Sequence, residues 1–430
     1  RGDGRALIVW NFNQSGLPVL VKTAWDGSQN GTLRNAQGEA IPHLFDKSQL
    51  LFVAANLPAL GYEVYRFLEE TTPPAAPTST AVENQLENER YAVHFNGSGQ
   101  LTRVYDKANQ RELLAEGTVG NCLKLFFDVP KSNDAWDIDR DYQDAFQVLE
   151  GSLLHAPQAD ALKQWVTFRY VFGNSEIEQD VILWNDSNRL DFDTHVQWHE
   201  RHRLLKAEFS FDINTPKAVY DIPFGIIERD TRPNNPYQKA QFEVPGLSMV
   251  DLSESNYGVA LVSEQKSGFC VKDQVASISL LRAPTFPDPE ADQGDHEFHY
   301  CLIGHRGSFR EGQVLHESRA LTNQPFAAQE ENHPGDLPTR FSFLSVNKDN
   351  VVIEALKTAE DGHGFVIRVY ETYGQQDTCT LLMNFPVKSV TECNLVEEPQ
   401  AAPIDVTNRQ IRFRIRPFEI KTFKLSLQEG

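Results

Sequence analysis

The part of the sequence richest in reactive groups is the loop that joins Leu281 to His296. It carries Arg282, Asp288, Asp292 and His296 together with three prolines. Prolines restrict the backbone, so such a loop can present a cation, carboxylates and an imidazole to a ligand at low entropic cost. The alternative is a turn-rich connection between strands whose acidic side chains are hydrated.

A second candidate is the segment 133–142, in which four carboxylates surround Trp136. Carboxylates accept hydrogen bonds from sugar hydroxyls, and an aromatic face stacks on a pyranose ring. Trp136 and Asp137 are therefore candidate carbohydrate contacts. The alternative is a surface loop whose acids are solvated and whose tryptophan fills the core.

Several histidines could suggest a metal-binding site, but the strand pattern argues against one. His195 and His199 lie on an alternating strand, where four residues at ~3.3 Å each separate them by about 13 Å. That is too far for both to bind one zinc ion. His296 and His299 have an odd spacing, which sends them to opposite faces of a strand. The sequence contains neither a Gly-x-Ser-x-Gly elbow nor a phosphate-binding glycine loop, so it predicts no catalytic residue and no metal site in this chain.

The elements that must position these loops are strands, because apolar residues alternate with polar ones along most of the chain. Strict period-two runs occur at 166–172, 190–198, 298–302 and 411–415. Asn96-Gly97 and Gly173-Asn174 predict hairpin turns. Only short stretches, such as Asp141 to Leu149, could be helical. The pattern predicts an all-β fold of stacked antiparallel sandwiches.

The chain length and a proline-rich stretch predict the domain boundaries. Residues 71–80 contain three prolines among small polar residues, which favours a linker or an extended crossing strand. We therefore expect an N-terminal β-sandwich segment at 1–72, a central β-domain at 73–335 and a C-terminal β-sandwich at 336–430.

The amino-acid composition limits which kinds of molecule the protein can bind. The net charge of −20 disfavours nucleic acids and anionic membranes, which bind through clustered cations, and it suits a neutral ligand such as a sugar. The five cysteines are scattered and odd in number, which favours reduced thiols and a cytoplasmic location. No apolar run is long enough to span a membrane, and no signal peptide is visible. The chain begins at Arg1, without Met, and enters a strand at once, which suggests a fragment.

Six blocks of sequence, taken together and in order, resemble glycoside hydrolase family 38. They cover nearly the whole chain and are Ala135-Trp136-Asp137-Ile138-Asp139; residues 188–192 running on to 198–206; Tyr220-Asp221-Ile222-Pro223-Phe224-Gly225; residues 280–284 with 287–289 and 292–294; His296-Glu297-Phe298-His299-Tyr300; and residues 416–422.

This resemblance, closest to the cytosolic-type and bacterial α-mannosidases, implies more than the residues show. Family members carry a catalytic α/β barrel with two catalytic aspartates and a zinc ion, followed by β domains. The central one is a large antiparallel supersandwich like that of galactose mutarotase, with smaller β-sandwich elements at both ends. The barrel motifs cannot be placed in this sequence, so zinc or another divalent ion is expected in the full-length enzyme and none in this chain. The resemblance also implies that the loop from Arg282 to His296 reaches the sugar.

The first hypothesis is therefore the non-catalytic C-terminal β region of a retaining α-mannosidase, inactive alone. Its expected partners are a mannose-containing oligosaccharide or glycoside and the N-terminal barrel of the same polypeptide, and the sequence leaves a homo-oligomer open. The substrate stays open between oligomannose and mannosylglycerate. One alternative is a stand-alone carbohydrate-binding module. Another is a mutarotase-like sugar epimerase that uses His202 and Glu200.

Overall fold

The computed structural model describes residues 3–70, 83–333 and 335–427, which form mainly antiparallel β-sheet. Strands hold 54% of the residues and helices 4%, which confirms the predicted all-β fold. The predicted linker at 71–80 lies outside the described residues. None of the helices in the described ranges has the length and apolar character that a membrane span requires.

The chain divides into two compact units. The first unit comprises Arg1–Ala75, Ile222–Ile226 and Asn323–Gly430, and the second comprises Ala76–Asp221 and Ile227–Thr322. The blocks expected at 1–72 and 336–430 thus fall in one unit, and the part of the expected central block after 322 joins them. The three-domain division stays a prediction.

The N-terminal part of the first unit consists of two small sheets. Its strands are β1 Arg5–Asn11, β2 Val19–Ala24, β3 Gly31–Arg34, β4 Ala40–Ile41, β5 His43–Asp46, β6 Gln49–Ala54 and β7 Gly61–Glu69. One sheet contains the order β1-β7-β3-β4 and the other is β2-β6-β5. Phe52 on β6 and Tyr65 on β7 are buried with ring centroids 4.9 Å apart, so the two sheets face each other across an aromatic core.

Most of the strands lie wholly or largely in the second unit. They are β8 Gln85–Glu87, β9 Tyr91–Phe95, β10 Leu101–Asp106, β11 Arg111–Glu112, β12 Cys122–Phe127, β13 Phe146–Val148, β14 Ser152–Ala159, β15 Lys163–Phe172, β16 Ser175–Trp184, β17 Arg189–Trp198, β18 Arg203–Ser210, β19 Lys217–Ile222, β20 Gly225–Asp230, β21 Val244–Pro245, β22 Met249–Ser253, β23 Tyr257–Ser263, β24 Gly268–Lys272, β25 Val275–Arg282 and β26 Gly294–Arg306. Two short helices accompany them, α1 Pro236–Lys239 and α2 Val314–Thr322.

Two large sheets enclose the core of this unit. One has the order β14-β15-β16-β17-β26-β23-β22-β19-β20 and the other β13-β12-β18-β25-β24-β21. Phe192 on β17 stacks on Tyr300 of β26 at 4.9 Å and lies 5.8 Å from Phe209 of β18, which belongs to the opposite sheet. These three side chains are fully buried. The period-two apolar pattern therefore produces the large sandwich that the resemblance implied.

The segment from Asp141 to Leu149, which by its sequence could be helical, forms no α-helix. Only Tyr142–Asp144 form a 3₁₀ turn, and Phe146–Val148 continue as β13. Phe146 pairs with Phe126 of β12, and their rings lie 5.4 Å apart. Cross-strand aromatic packing thus overrides the weak local helical pattern.

The C-terminal part returns to the first unit. Its strands are β27 Phe326–Glu330, β28 Arg340–Ser342, β29 Leu344–Val346, β30 Val351–Thr358, β31 Phe365–Glu371, β32 Asp377–Met383, β33 Val387–Cys393, β34 Gln410–Ile415 and β35 Ile420–Leu427. Strand β27 pairs with β1 and β28 pairs with β7. The other seven form the sheets β29-β32-β34 and β30-β31-β35-β33, whose common core contains Phe413 and Phe423.

Candidate functional site

A largely buried ion pair lies at the end of β25. The Arg282 guanidinium donates hydrogen bonds to the carboxylate of Asp128 and to the backbone carbonyl of Asp137. Asp128 follows β12, and its side chain is 2% exposed. Its second oxygen accepts a hydrogen bond from the Asp139 amide at 2.8 Å. We call these contacts the arginine tie, because they fix the segment 137–139 against the ends of β12 and β25.

A second set of contacts fixes the neighbouring loop. Asp134 Oδ2 accepts hydrogen bonds from the amide of Thr285 at 2.7 Å and from its hydroxyl at 3.3 Å. Thr285 Oγ1 also lies 3.1 Å from His202 Nε2. His202 Nδ1 faces Asp134 Oδ1 at 3.8 Å. Three segments distant in sequence therefore meet around one threonine.

These contacts fix two segments, each of which exposes a large aromatic side chain to solvent. Trp136 is 71% exposed and Phe286 is 62% exposed. Their ring centroids lie 6.5 Å apart with an interplanar angle of 59°. We call this pair the aromatic platform. The exposed Asp137 follows Trp136 in sequence, and adjacent exposed aromatic rings with a carboxylate on the same segment suit a ligand with an apolar face and hydroxyl groups.

The structure brings together only part of the predicted site. Arg282 and Asp137 join in the arginine tie, and Trp136 lies in the same segment. Within the described ranges, no hydrogen bond or ion pair joins Asp288, Asp292 or His296 to that tie. Those three residues organise their own half of the loop. Asp288 Oδ1 accepts from the Glu290 amide at 2.9 Å, and His296 Nε2 lies 2.9 Å from the Asp292 carbonyl oxygen.

Sequence reasoning did not single out Asp128, Asp134, Thr285 or Phe286 as individual site residues. Phe286 and Thr285 belonged to a loop already recognised as rich in polar groups. Asp134 belonged to the acidic segment already recognised around Trp136, whereas Asp128 carried no local signal. Neither pairing was visible in the sequence, because Arg282 is 154 residues from Asp128 and Thr285 is 151 residues from Asp134.

The histidines are used by neighbouring protein groups. His202 Nε2 lies 3.1 Å from Thr285 Oγ1, and His195 Nε2 lies 3.8 Å from Asp295 Oδ1. Among residues 3–70, 83–333 and 335–427, no group of three or more His, Cys, Asp or Glu side chains is placed to hold a metal ion.

A separate polar cluster lies inside the second unit. Asp191 Oδ1 lies 3.4 Å from both Arg189 Nε and His299 Nε2. Burial alone would raise the pKa of Asp191, but Arg189 and His299 hold that pKa below its usual value. Burial would lower the pKa of His299, yet the Asp191 carboxylate raises it overall. The three groups therefore stabilise each other's charged forms.

Comparison with known proteins identifies the family. Residues 86–290 match the model "Glycosyl hydrolases family 38 C-terminal domain", and residues 350–423 match "Glycosyl hydrolases family 38 C-terminal beta sandwich domain". The chain belongs to glycosyl hydrolase family 38. The matches confirm the resemblance in the sequence blocks, and together they extend over both units of the family 38 fold.

Curated relatives support the same assignment. "Alpha-mannosidase 2C1" of Mus musculus is 36% identical over 351 residues, which cover 80% of this chain and 34% of the relative. "Alpha-mannosidase G" of Dictyostelium discoideum is 33% identical over 359 residues, covering 79% and 32%. This family 38 chain thus spans about a third of the length of the curated relatives it matches.

A solved structure shares the fold. "The crystal structure of an alpha-mannosidase from Enterococcus faecalis V583" aligns with a TM-score of 0.75 at 16% identity. The alignment covers 98% of this chain and 56% of that chain. The arrangement of sheets in this family 38 chain is therefore one already observed in a crystal.

Proposed function

We propose that this chain is the non-catalytic C-terminal β region of an α-mannosidase, and that its aromatic platform contributes to the binding of the sugar. Relatives named as α-mannosidases support the enzyme class, at up to 36% identity over 80% of the chain. The observation that carries the sugar contact is the pair of exposed aromatic rings held by the arginine tie.

In this proposal the side chains have different tasks. Trp136 stacks on the apolar face of a mannose ring, and the exposed Asp137 carboxylate accepts hydrogen bonds from its hydroxyls. Arg282 is a positioning residue, because its guanidinium already donates to Asp128 and to the Asp137 carbonyl. Asp288, Asp292 and His296 lie further along the same loop and serve as additional polar contacts for an extended substrate.

The bond-breaking groups belong elsewhere in this proposal. A retaining glycosidase places two carboxyl groups about 5 Å apart, one as nucleophile and one as acid and base. We assign both groups, and the divalent ion that the resemblance implies, to the N-terminal barrel of the same polypeptide. We also infer a cytoplasmic location, which the five unpaired cysteines support.

The division of labour is tested by assaying hydrolysis of a nitrophenyl α-mannoside. We expect no turnover by this chain alone and turnover by the full-length polypeptide with its metal. Turnover by the isolated chain would contradict the proposal. Parallel assays with an oligomannose and with mannosylglycerate would then identify the natural substrate class.

The platform is tested by Trp136→Ala in the full-length polypeptide. We expect KM for an oligomannose to rise about tenfold, because loss of ring stacking and buried apolar area costs roughly 1–2 kcal/mol. Tyr237→Ala is the matched control, since Tyr237 is an aromatic side chain that is 87% exposed and outside the platform. Equal KM values for both variants would remove Trp136 from the site.

Two other functions predict different results. A stand-alone carbohydrate-binding module would bind mannose oligosaccharides tightly in calorimetry without the barrel. An epimerase would need His202 and Glu200 to act on one sugar. Their side chains instead have separate partners, since Glu200 Oε1 accepts from the Asn174 amide at 2.9 Å whereas His202 contacts Thr285.

A further inference from the structure

A pocket of about 630 Å³ lies within the second unit, lined by residues from β20, α1 and β24. Its charged lining residues are four cations and two carboxylates, namely Arg229, Arg232, Lys239, Lys272, Asp230 and Asp273. The lining therefore carries a net charge of +2 in a chain whose total is −20. A local reversal of sign in an acidic protein attracts small anions.

The carboxylates of this pocket are already occupied. Asp273 Oδ1 accepts a hydrogen bond from Arg232 Nε at 3.0 Å, and Asp230 accepts one from the Gln238 amide group. Within the described residues, neither Lys272 nor Arg229 has a carboxylate within ion-pair distance. The excess positive charge thus resides on cations whose charge is not balanced by a neighbouring acid.

Arg229 is the group most in need of an acceptor. Its Nη1 is buried, and no acceptor within the described ranges lies at hydrogen-bond distance from it. The guanidinium lies 4.5 Å from the centre of the Tyr220 ring, which holds it in place. Loss of hydration lowers the pKa of Arg229 from its usual value. A buried N–H group without an acceptor is unfavourable, and a guanidinium turned towards an anion in the pocket would gain one.

We propose that this pocket binds a small phosphomonoester, with the phosphate on Arg229 and Lys272. A phosphomonoester carries a charge of about −1.5 to −2 at neutral pH, which matches the +2 of the lining. Arginine presents its N–H groups in the geometry that phosphate oxygens accept.

The size of the pocket requires an organic group besides the phosphate. Ligand pockets for small molecules span about 300–1,000 Å³, and this one lies in the middle of that range. Tyr220, Phe242, Val244 and Val271 provide an apolar wall. A ring the size of a hexose fits this combination of an apolar wall and a cationic end.

Calorimetry on the whole 430-residue chain tests the proposal with mannose phosphate, inorganic phosphate, a hexuronate and neutral mannose as probes. We expect mannose phosphate to bind more tightly than the other three. Arg229→Gln should weaken its binding by at least about tenfold, since charge-assisted hydrogen bonds to phosphate are lost. Lys272→Gln, at an exposed position, should weaken it less.

Lys217→Gln provides the matched control. Lys217 is an exposed lysine outside the pocket, paired with Glu228 at 2.8 Å, and its substitution should leave affinity unchanged. Equal affinity of wild type and Arg229→Gln for mannose phosphate would overturn the proposal. So would tighter binding of the hexuronate or of neutral mannose, or no binding of mannose phosphate.

Alkylation of Cys270 provides a readout located at the pocket itself. Cys270 lines the pocket and is half-buried, whereas the other four cysteines are buried. Burial raises the pKa of the Cys270 thiol to about 11, so labelling with iodoacetamide is followed at alkaline pH by mass spectrometry. We expect mannose phosphate to slow labelling of Cys270 in wild type and not in Arg229→Gln. Identical labelling rates with and without ligand would contradict the assignment of the site.

Discussion

Two arginines near strand ends of the second unit differ in how their guanidinium groups are used. Arg282 ends β25 and donates to the Asp128 carboxylate and to a backbone carbonyl. Arg229 lies near the end of β20 and keeps a buried Nη1 without an acceptor among the described residues. The first arrangement fixes neighbouring segments, and the second leaves a donor for a ligand. Whether an arginine positions neighbouring segments or binds a ligand therefore depends on its hydrogen-bond partners more than on its position beside an aromatic group.

The largest effect is expected from breaking the arginine tie. Asp128→Ala leaves the largely buried Arg282 guanidinium without its carboxylate, which should cost about 3–5 kcal/mol of unfolding free energy. Urea denaturation measures this loss. Glu176→Ala, which breaks the exposed pair with Arg169, is the control and should change the midpoint far less. Equal losses in both variants would show that the tie does not hold the loop.

A smaller, pH-dependent effect on stability is expected at the buried cluster in which Asp191 contacts both Arg189 and His299. The pKa of His299 is raised in the folded state, so protonated His299 adds to the unfolding free energy. This stabilisation is complete below the pKa of the unfolded chain and is lost as pH rises through the pKa of the folded state. His299→Gln should therefore lower the unfolding free energy by about 1 kcal/mol at acidic pH and by less at alkaline pH.

The groups that set this behaviour all lie near the His299 ring. Asp191 and Asp193 raise the pKa of His299, whereas Arg189 opposes them. The pKa of Asp191 is lowered in the folded state, so the Asp191 carboxylate stabilises the fold above the pKa of an unfolded aspartate. This stabilisation is lost as pH falls through the pKa of the folded state. His363→Gln, which changes an exposed histidine in a turn, is the control. A loss of stability in His299→Gln that grows with rising pH would contradict a raised pKa of His299.

The smallest effect on stability is expected at the other arginine of the comparison. Arg229→Met removes a guanidinium whose buried Nη1 has no acceptor among the described residues, and the contact with the Tyr220 ring is what it gives up. The unfolding free energy should stay within about 0.5 kcal/mol of wild type or rise. Thermal unfolding without ligand checks this. A large loss of stability would mean that Arg229 is structural, like Arg282.

The strands were largely predictable from sequence, because burial on one face of a sheet imposes a period of two. The run 411–415 is an example, since Ile411, Phe413 and Ile415 are buried whereas Arg412 and Arg414 are exposed. The hairpin at Gly173 is another, because this glycine has a φ of +52° between β15 and β16. Such signals are local, so a single sequence contains them.

The site was less predictable, because its contacts join segments remote in sequence. Trp136 and Arg282 were recognisable by residue type, but the sequence could not pair Arg282 with Asp128 or Asp134 with Thr285. Nor did it indicate the Arg229 pocket, since Arg229 lies in an ordinary strand. A donor that lacks an acceptor becomes visible only when every neighbouring group is placed in space.

The pairing of β1 with β27 and of β7 with β28 has a consequence for synthesis on the ribosome. The sheet that contains β1 and β7 requires residues that emerge only after position 322. The nine-stranded sheet, by contrast, is complete before those residues appear. Because domains generally fold as units during translation, the second unit can mature first while β1 and β7 wait with open edges. Those unpaired edges are where a chaperone would be needed most.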